Sequence, residues 1–178
     1  MLREAVLIAS LLLAACSATG PVGIESVLAQ APAPPPADLG DLVPVDPGKL
    51  TVALSKTLYG EGETIGALVA NGLEHVIYTE DSKSDCSIAL LEQWEAGSWR
   101  PLRGCAVERL PGVVAIGPGR GRTLKIDPHS IHFGVKPGSL RPAFGAGQYR
   151  IRFTYRLQRE PLTVEPLGTS SETFRVQP

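Results

Sequence analysis

The sequence predicts an all-β protein whose main domain is an antiparallel β-sandwich over residues 49–178. Two observations predict this class. Apolar and polar residues alternate along short segments, and turn-forming residues interrupt these segments about every 8 to 12 positions. In addition, no long segment has the apolar spacing of an amphipathic helix. About 130 residues are enough to enclose one hydrophobic core.

The segment before the domain has the features of an export signal. Ala5–Ala15 carries no charge and is shorter than the roughly twenty residues that a membrane-spanning helix needs. Leu13-Ala14-Ala15-Cys16 resembles a bacterial lipobox, which implies that residues 1–15 are a signal peptide and that Cys16 is lipidated. Ordinary secretion with cleavage after Ala31, or an uncut N-terminal helix, are the alternatives.

Residues 16–48 are predicted to be the lipidated cysteine and a proline-rich linker. Seven prolines fall between Ala18 and Gly48. Proline fixes φ and removes a backbone donor, so we expect this segment to join neither a sheet nor a helix. It is typical of a semi-rigid tether that reaches about 3.1 Å per residue where it is extended.

The number of cysteines is consistent with export. If Cys16 carries lipid, Cys86 and Cys105 are left as a pair in an exported domain. A disulfide between them would close a loop of about twenty residues and stabilise the fold by roughly 3 kcal/mol. No C-x-x-C arrangement indicates a redox or zinc role.

The strands are predicted from the period-two pattern and from the turns between the segments. Residues 86–105 are expected to form a hairpin that turns near Ala96-Gly97, with Trp94 and Trp99 flanking the turn. The predicted elements are strands at 49–55, 63–71, 74–80, 121–127, 147–157 and 170–177, a weaker strand at 130–135, and a hairpin at 86–105.

Two features of this pattern concern the arrangement of the sheets. In 147–157 the apolar side chains alternate with Arg150, Arg152 and Arg156, so one face of that strand is predicted to be buried and the other exposed. Asn71-Gly72 is a strong signal for a two-residue hairpin. We favour an arch between two sheets at this point instead.

The domain resembles bacterial immunoglobulin-like domains. The resemblance lies in the stretches LYGEGETIGALVANGLEHVIY (58–78), AIGPGRGRTLKI (115–126) and Gly147 to Ile151. It implies an immunoglobulin-like sandwich in which Tyr149 hydrogen-bonds back to the preceding corner. It implies little about function, because such sandwiches have many roles.

Some similar domains inhibit proteases, among them the intracellular proteinase inhibitor of bacilli and the chagasin-type inhibitors. This chain lacks the Asn-Pro-Thr-Thr-Gly loop and the Arg-Pro-Trp end of the chagasin type, so no inhibitory residue is carried over. Inhibition through loops at 112–122 or 136–146 is kept as an alternative function.

No catalytic set is visible, so the protein is not expected to be an enzyme or to need a cofactor. There is no G-x-S-x-G or H-E-x-x-H motif, and GPGRGR at 117–122 lacks the ending of a phosphate loop. His129 and His132 would lie on opposite faces of a strand. We therefore predict no metal site, with a metal-binding or weakly enzymatic exported protein as a further alternative.

Charge is distributed unevenly along the chain. Residues 38–95 hold 11 acidic and 3 basic residues, whereas 100–159 hold 12 basic and 2 acidic ones. Either acidic and basic strands become neighbours and compensate each other, which we favour, or a basic face binds an anionic polymer or lipid head groups. In the second case, Arg150, Arg152 and Arg156 are the candidates.

The expected function is non-catalytic: a lipoprotein of the bacterial cell envelope, held to a membrane through Cys16, that presents its sandwich for binding or scaffolding. The expected partner is another envelope protein or an anionic envelope polymer. Nucleic acid is not expected, because the chain has the features of an export signal and no aromatic residue is interleaved with the arginines on their exposed strand face.

Overall fold

A computed structural model describes the chain in five segments, to which every structural statement below refers: residues 38–80, 88–102, 112–130, 133–159 and 165–178. The predicted signal peptide and the predicted sites at Cys16, Cys86 and Cys105 lie outside these segments. In the segments that are described, there is no helix of sufficient length and apolar character to span a bilayer.

The described part of the chain contains twelve strands. In chain order they are β1 (Asp41–Leu42), β2 (Leu50–Leu54), β3 (Leu58–Gly60), β4 (Ile65–Asn71), β5 (Ile77–Glu80), β6 (Ala89–Glu95), β7 (Ser98–Pro101), β8 (Val113–Ile116), β9 (Arg120–Ile126), β10 (Gly147–Tyr155), β11 (Leu167–Ser170) and β12 (Phe174–Gln177).

The strands form a β-sandwich, as predicted. One sheet has the order β1-β9-β4-β2, and the second has the order β3-β12-β10-β6-β7, with β11 also paired to β10. The short pair β5-β8 is joined to the end of β10 by a bridge between Tyr78 and Arg156. The named strand pairs are antiparallel apart from β3 with β12, which is parallel.

The core lies between the two large sheets and follows from the alternation in β4 and β10. Ile65 and Val69 of β4 and Ile151 and Phe153 of β10 are fully buried and belong to one hydrophobic cluster. Burying a side chain of this size contributes roughly 1.5–3 kcal/mol. The inner face of β10 therefore fixes which of its residues are left to face outward.

The chain crosses between sheets at Asn71-Gly72, as the arch hypothesis requires. β4 belongs to the four-stranded sheet, whereas the next strand, β5, pairs with β8 and meets β10. The Asn71 side chain is fully buried, and its amide donates to the carbonyl oxygens of His75 and Ile116, both at 2.9 Å. These two hydrogen bonds join Asn71 to the connection that leads from β4 to β5 and to the end of β8, and β4 and β5 do not pair as a hairpin.

The predicted hairpin is confirmed in its described part. β6 and β7 pair with Trp94 opposite Trp99, and the turn between the strands is Ala96-Gly97. Both turn residues have positive φ, 48° and 84° respectively. Positive φ at both central positions is the type I′ geometry, whose twist matches that of the flanking strands.

Two expectations about local structure were wrong. Residues 18–48 were expected to stay out of the sheets, but Asp41–Leu42 forms β1 and pairs with β9. No proline lies between Ala37 and Val43, so this stretch keeps the donors that an edge strand needs. The described residues of 130–135 form a turn instead of a strand, with the Phe133 amide donating to Ser130.

A hydrogen bond of the tyrosine-corner type is present at the start of β10. Tyr149 is fully buried, and its hydroxyl donates to the carbonyl oxygen of Gly145 at 2.7 Å. Burial raises the pKa of Tyr149 above its ordinary value of 10.0, with smaller contributions from the carboxylates of Glu95 and Glu61. The bond holds the long 127–146 connection against the strand that follows it.

Replacing Tyr149 with phenylalanine should lower the free energy of unfolding by about 1 kcal/mol, because one buried hydrogen bond is lost. The raised pKa also means that unfolding favours ionisation, so stability should fall as pH rises above 10.0. That alkaline loss should be smaller in Tyr149→Phe. Urea unfolding of both proteins between pH 8 and 11 measures it, and an identical pH dependence would contradict the assignment.

Candidate binding face

Arg150 and Arg152 are brought together on the outer face of the six-stranded sheet, around one carboxylate. β10 pairs with β6 so that Arg150 lies opposite Glu92, and Arg152 lies opposite Leu90. Arg150 Nε donates to Glu92 Oε2 at 2.6 Å, and an Nη of Arg152 lies 3.6 Å from Oε1. The Glu92 residue is only 3% exposed, although it points outward. Two guanidinium groups therefore cover a single buried charge.

The tryptophan pair of the hairpin borders this cluster. The rings of Trp94 and Trp99 meet edge to face, with centroids 5.1 Å apart and an interplanar angle of 61°. The Arg150 guanidinium lies over the Trp99 ring, 4.5 Å from its centroid, a contact worth roughly 0.5–1 kcal/mol at an exposed site. The sequence-based expectation that aromatic residues do not accompany these arginines is therefore wrong.

These side chains form one continuous surface that no other described element covers. Trp94 is 42% exposed and Leu90 is 39% exposed, and the side chain of Arg152 is 51% exposed. We call this surface the tryptophan–arginine face. It comprises Leu90, Glu92, Trp94, Trp99, Arg150 and Arg152.

Arg156, the third predicted arginine, is not part of the tryptophan–arginine face. It lies past the end of β10, where its backbone pairs with that of Tyr78. An Nη atom of Arg156 donates to Glu80 Oε1 at 2.5 Å, and its side chain is 16% exposed. This position links β10 to the small β5-β8 sheet and makes Arg156 a structural residue in the described fold.

Much of the charge asymmetry along the chain is compensated between neighbouring strands. Arg150 pairs with Glu92, Arg156 with Glu80 and Arg122 with Asp38, so three basic residues of the second half each meet an acidic residue of the first half. This arrangement follows the favoured interpretation. On the tryptophan–arginine face, however, two arginines share one carboxylate, which leaves it net positive.

The first described residues, 38–42, lie at the edge of the four-stranded sheet, against β9. The carbonyl oxygen of Gly40 accepts from Arg120 at 2.8 Å, and Asp38 pairs with Arg122, also at 2.8 Å. The amide of Gly40, followed by Arg122, holds the pKa of Asp38 below its ordinary value. Both arginines lie at the start of β9, so residues 38–40 lie at that end of the sandwich.

The β6-β7 hairpin, which carries Trp94 and Trp99 and is called the tryptophan hairpin below, lies at the end of the sandwich opposite Asp38 and Gly40. The start of β9 lies beside Asn71, the last residue of β4. The start of β4 is at the other end, where the amide of Glu61 donates to the carbonyl oxygen of Gln177 at the end of β12. The end of β12 pairs with the start of β10, which pairs with the end of β6. The seven residues of β4 therefore separate the two ends by about 20 Å.

The two segments predicted as inhibitory loops differ from each other. Much of 112–122 belongs to β8 and β9, and the turn between them is held by amides that donate to Leu39 and Asn71. By contrast, 136–146 is a true loop in which Leu140 is 94% exposed. Only this second segment has the geometry of a presented loop, and inhibition stays a prediction.

The described residues contain no group of three or more His, Cys, Asp or Glu side chains that could hold a metal ion. His129 lies in the turn after β9, where its amide donates to Asp127 Oδ1 at 2.8 Å. His132, the other half of the predicted pair, lies outside the described segments.

Sequence reasoning identified Arg150 and Arg152 but missed Glu92, Trp94 and Trp99 as their neighbours. A signal for them was present. Once 86–105 is taken as a hairpin, the residues of β6 alternate between faces, and Glu92 and Trp94 fall on the same one. What could not be obtained from the pattern was that β6 pairs with β10 in this register.

Comparison with known proteins yields no family for this chain. No protein-family model matches it, and no curated protein was found to match it. Among solved structures, it is similar to a β-glucosidase from Listeria innocua in complex with gluconolactone, at 15% identity and a TM-score of 0.30. The match covers 73% of this chain and 16% of that chain.

Proposed function

We propose that the protein is a lipid-anchored, non-catalytic module of the bacterial cell envelope that binds an envelope partner through its tryptophan–arginine face. The observation that carries the proposal is the face itself. Two arginines cover a buried carboxylate, and on the same side of the sheet Trp94 and Arg152 are exposed to solvent. Aromatic and arginine side chains are enriched at binding surfaces.

The anchoring half of the proposal rests on the lipobox-like stretch at Cys16. A lipid chain contributes about 0.8 kcal/mol per buried methylene, and more than one chain is needed for stable attachment. The proposed tether would meet the domain near Gly40, which lies at the end opposite the β6-β7 hairpin. Attachment there would place the anchor about 20 Å from Trp94, at the hairpin end of the tryptophan–arginine face.

The test uses the full chain in a bacterial host that processes lipoproteins. We expect the mature protein to begin at a lipid-modified Cys16 and to remain with membranes after carbonate extraction. Cys16→Ala should release it into the exported soluble fraction. Mass spectrometry of the N-terminal peptide and immunoblots of the fractions measure both outcomes.

The binding half of the proposal is tested separately with the released Cys16→Ala chain. Trp94→Ala should reduce its recovery with purified envelope fragments, whereas Leu42→Ala should not. Leu42 is the matched control, because it is 77% exposed and lies on β1 at the other end of the sandwich. Equal recovery of the two variants would refute a role for the tryptophan–arginine face in binding.

A further inference from the structure

Trp94 has the position of a stacking platform. Its neighbour Trp99 contacts both the Arg150 guanidinium and the Trp94 ring. Trp94 itself is 42% exposed. The face of an aromatic ring carries partial negative charge and attracts the positive C–H edges of an apolar surface. One face of a pyranose ring offers such C–H groups.

Arg152 has the position of an anion ligand. Glu92 is bound closely by Arg150, at 2.6 Å, and more distantly by Arg152, at 3.6 Å. The Arg152 side chain is half-exposed, so its guanidinium can present a planar pair of donors to an incoming carboxylate or phosphate. Arg175 of the adjacent β12 is also exposed and pairs with Gln148, two residues before Arg150.

The spacing of these groups indicates the size of the ligand. Arg152 lies opposite Leu90, so the backbone positions of Arg152 and Trp94 are about 13 Å apart along the strand pair. The Arg152 guanidinium reaches toward Glu92, two residues from Trp94, which still leaves about 7 Å along the strand to the backbone position of Trp94. A single small anion cannot span that distance. A polymer can place a ring on Trp94 while an acidic group farther along its chain reaches Arg152.

We propose that the tryptophan–arginine face binds an acidic polysaccharide, with one sugar ring stacked on Trp94 and the acidic group of another unit held by Arg152. This inference rests on the proposed function and names the chemistry of the partner. A bilayer surface fits less well, because Asp38 and Gly40, where the proposed tether would meet the domain, lie at the end of the sandwich opposite Trp94. A sheet with exposed rings and guanidinium groups is suited to an extended, negatively charged chain.

The experiment is isothermal titration calorimetry with the released Cys16→Ala chain, purified from the exported fraction. The probes are polygalacturonate, alginate, fully methyl-esterified polygalacturonate, dextran and vesicles of phosphatidylglycerol with phosphatidylcholine. We expect the two acidic polymers to bind at least about tenfold more tightly than the esterified polymer, dextran or vesicles. Binding to the acidic polymers should weaken as salt rises, because exposed charges are screened.

Variants assign the binding to the two groups. Trp94→Ala and Arg152→Gln should each weaken binding by about tenfold, and Trp94→Phe, which keeps a ring, should retain most of it. Leu42→Ala and Lys125→Gln are the matched controls, since both residues are exposed and lie on the other sheet. Circular dichroism and thermal melting verify that each variant is folded.

Three results would overturn the inference: no binding to either acidic polymer, equal binding to the esterified polymer, or tighter binding to the vesicles. Failure of the inference is distinguishable from failure of the proposed function. If Trp94→Ala still reduces recovery with envelope fragments while the acidic polymers do not bind, the face is a binding surface for a different partner. If neither assay depends on Trp94, both are wrong.

Discussion

Replacing Asn71 with alanine should lower the free energy of unfolding by about 3 kcal/mol, because three hydrogen bonds disappear at a fully buried position. The amide nitrogen of Asn71 donates to the carbonyl oxygens of His75 and Ile116, and its side-chain oxygen accepts from the amide of Leu73 at 3.0 Å. Alanine leaves all three backbone groups without their partner.

These three bonds define the path of the arch. The partners of Asn71 lie on the arch itself and at the end of β8, 45 residues further along the chain. One side chain therefore joins the four-stranded sheet to the small β5-β8 sheet. Losing it should destabilise both the arch and the junction with β8, and no substitution by an apolar residue restores either.

Urea unfolding at neutral pH, without reductant, measures the effect. Gln148→Ala is the matched control, since it removes an exposed amide from β10 and should change stability by less than about 0.5 kcal/mol. A loss below about 1 kcal/mol in Asn71→Ala would mean that the arch does not depend on this side chain.

Gly72→Ala should have an effect of similar or greater size, about 3 kcal/mol, because the position has no room for a side chain. A Cβ atom there would overlap the carbonyl oxygen of Asp46 and lie 2.7 Å from that of Lys49. Both are backbone atoms. The Gly72 amide donates to Lys49 at 2.8 Å, and its carbonyl oxygen accepts from Gly48 at 2.7 Å. The 46–49 turn cannot move away without breaking these bonds.

Gly168→Ala provides the comparison for Gly72→Ala. A Cβ atom at Gly168 would meet its neighbours at 3.6 Å or more, which is ordinary contact. Thermal unfolding should therefore show a much lower midpoint for Gly72→Ala and little change for Gly168→Ala. Equal midpoints would contradict the close packing of the arch against the 46–49 turn. Since Asn71 and Gly72 share this arch, the effects of the two substitutions should not add.

The elements that could be predicted from the sequence are those with local signals. The strand 147–157 has a long period-two pattern, and the hairpin has Ala96-Gly97 between two alternating segments. The strands that were missed, β1, β3, β8 and β11, have only two to four residues each. A pattern of that length carries too few alternations to be distinguished from a loop.

Some of the missed elements also depend on distant partners. β3 is a strand because β12, more than a hundred residues later, runs parallel to it. β1 is a strand because β9 presents an edge to it. The segment 130–135 has the composition of a strand, but its described residues turn instead, and Phe133 packs against Phe144 with ring centroids 5.6 Å apart.

The two faces of β10 follow from the local pattern of residues, because a period of two assigns Tyr149, Ile151 and Phe153 to the core and the arginines to the outside. The contacts that those arginines make depend on how the strands pair. Arg150 meets Glu92 and Trp99 because β10 pairs with β6 in one register and β6 pairs with β7 in another. A shift of one residue in either pairing would turn these side chains to the opposite face. Because β6 and β10 are about sixty residues apart in the chain, their register is set by the packing of the whole core and not by a local turn.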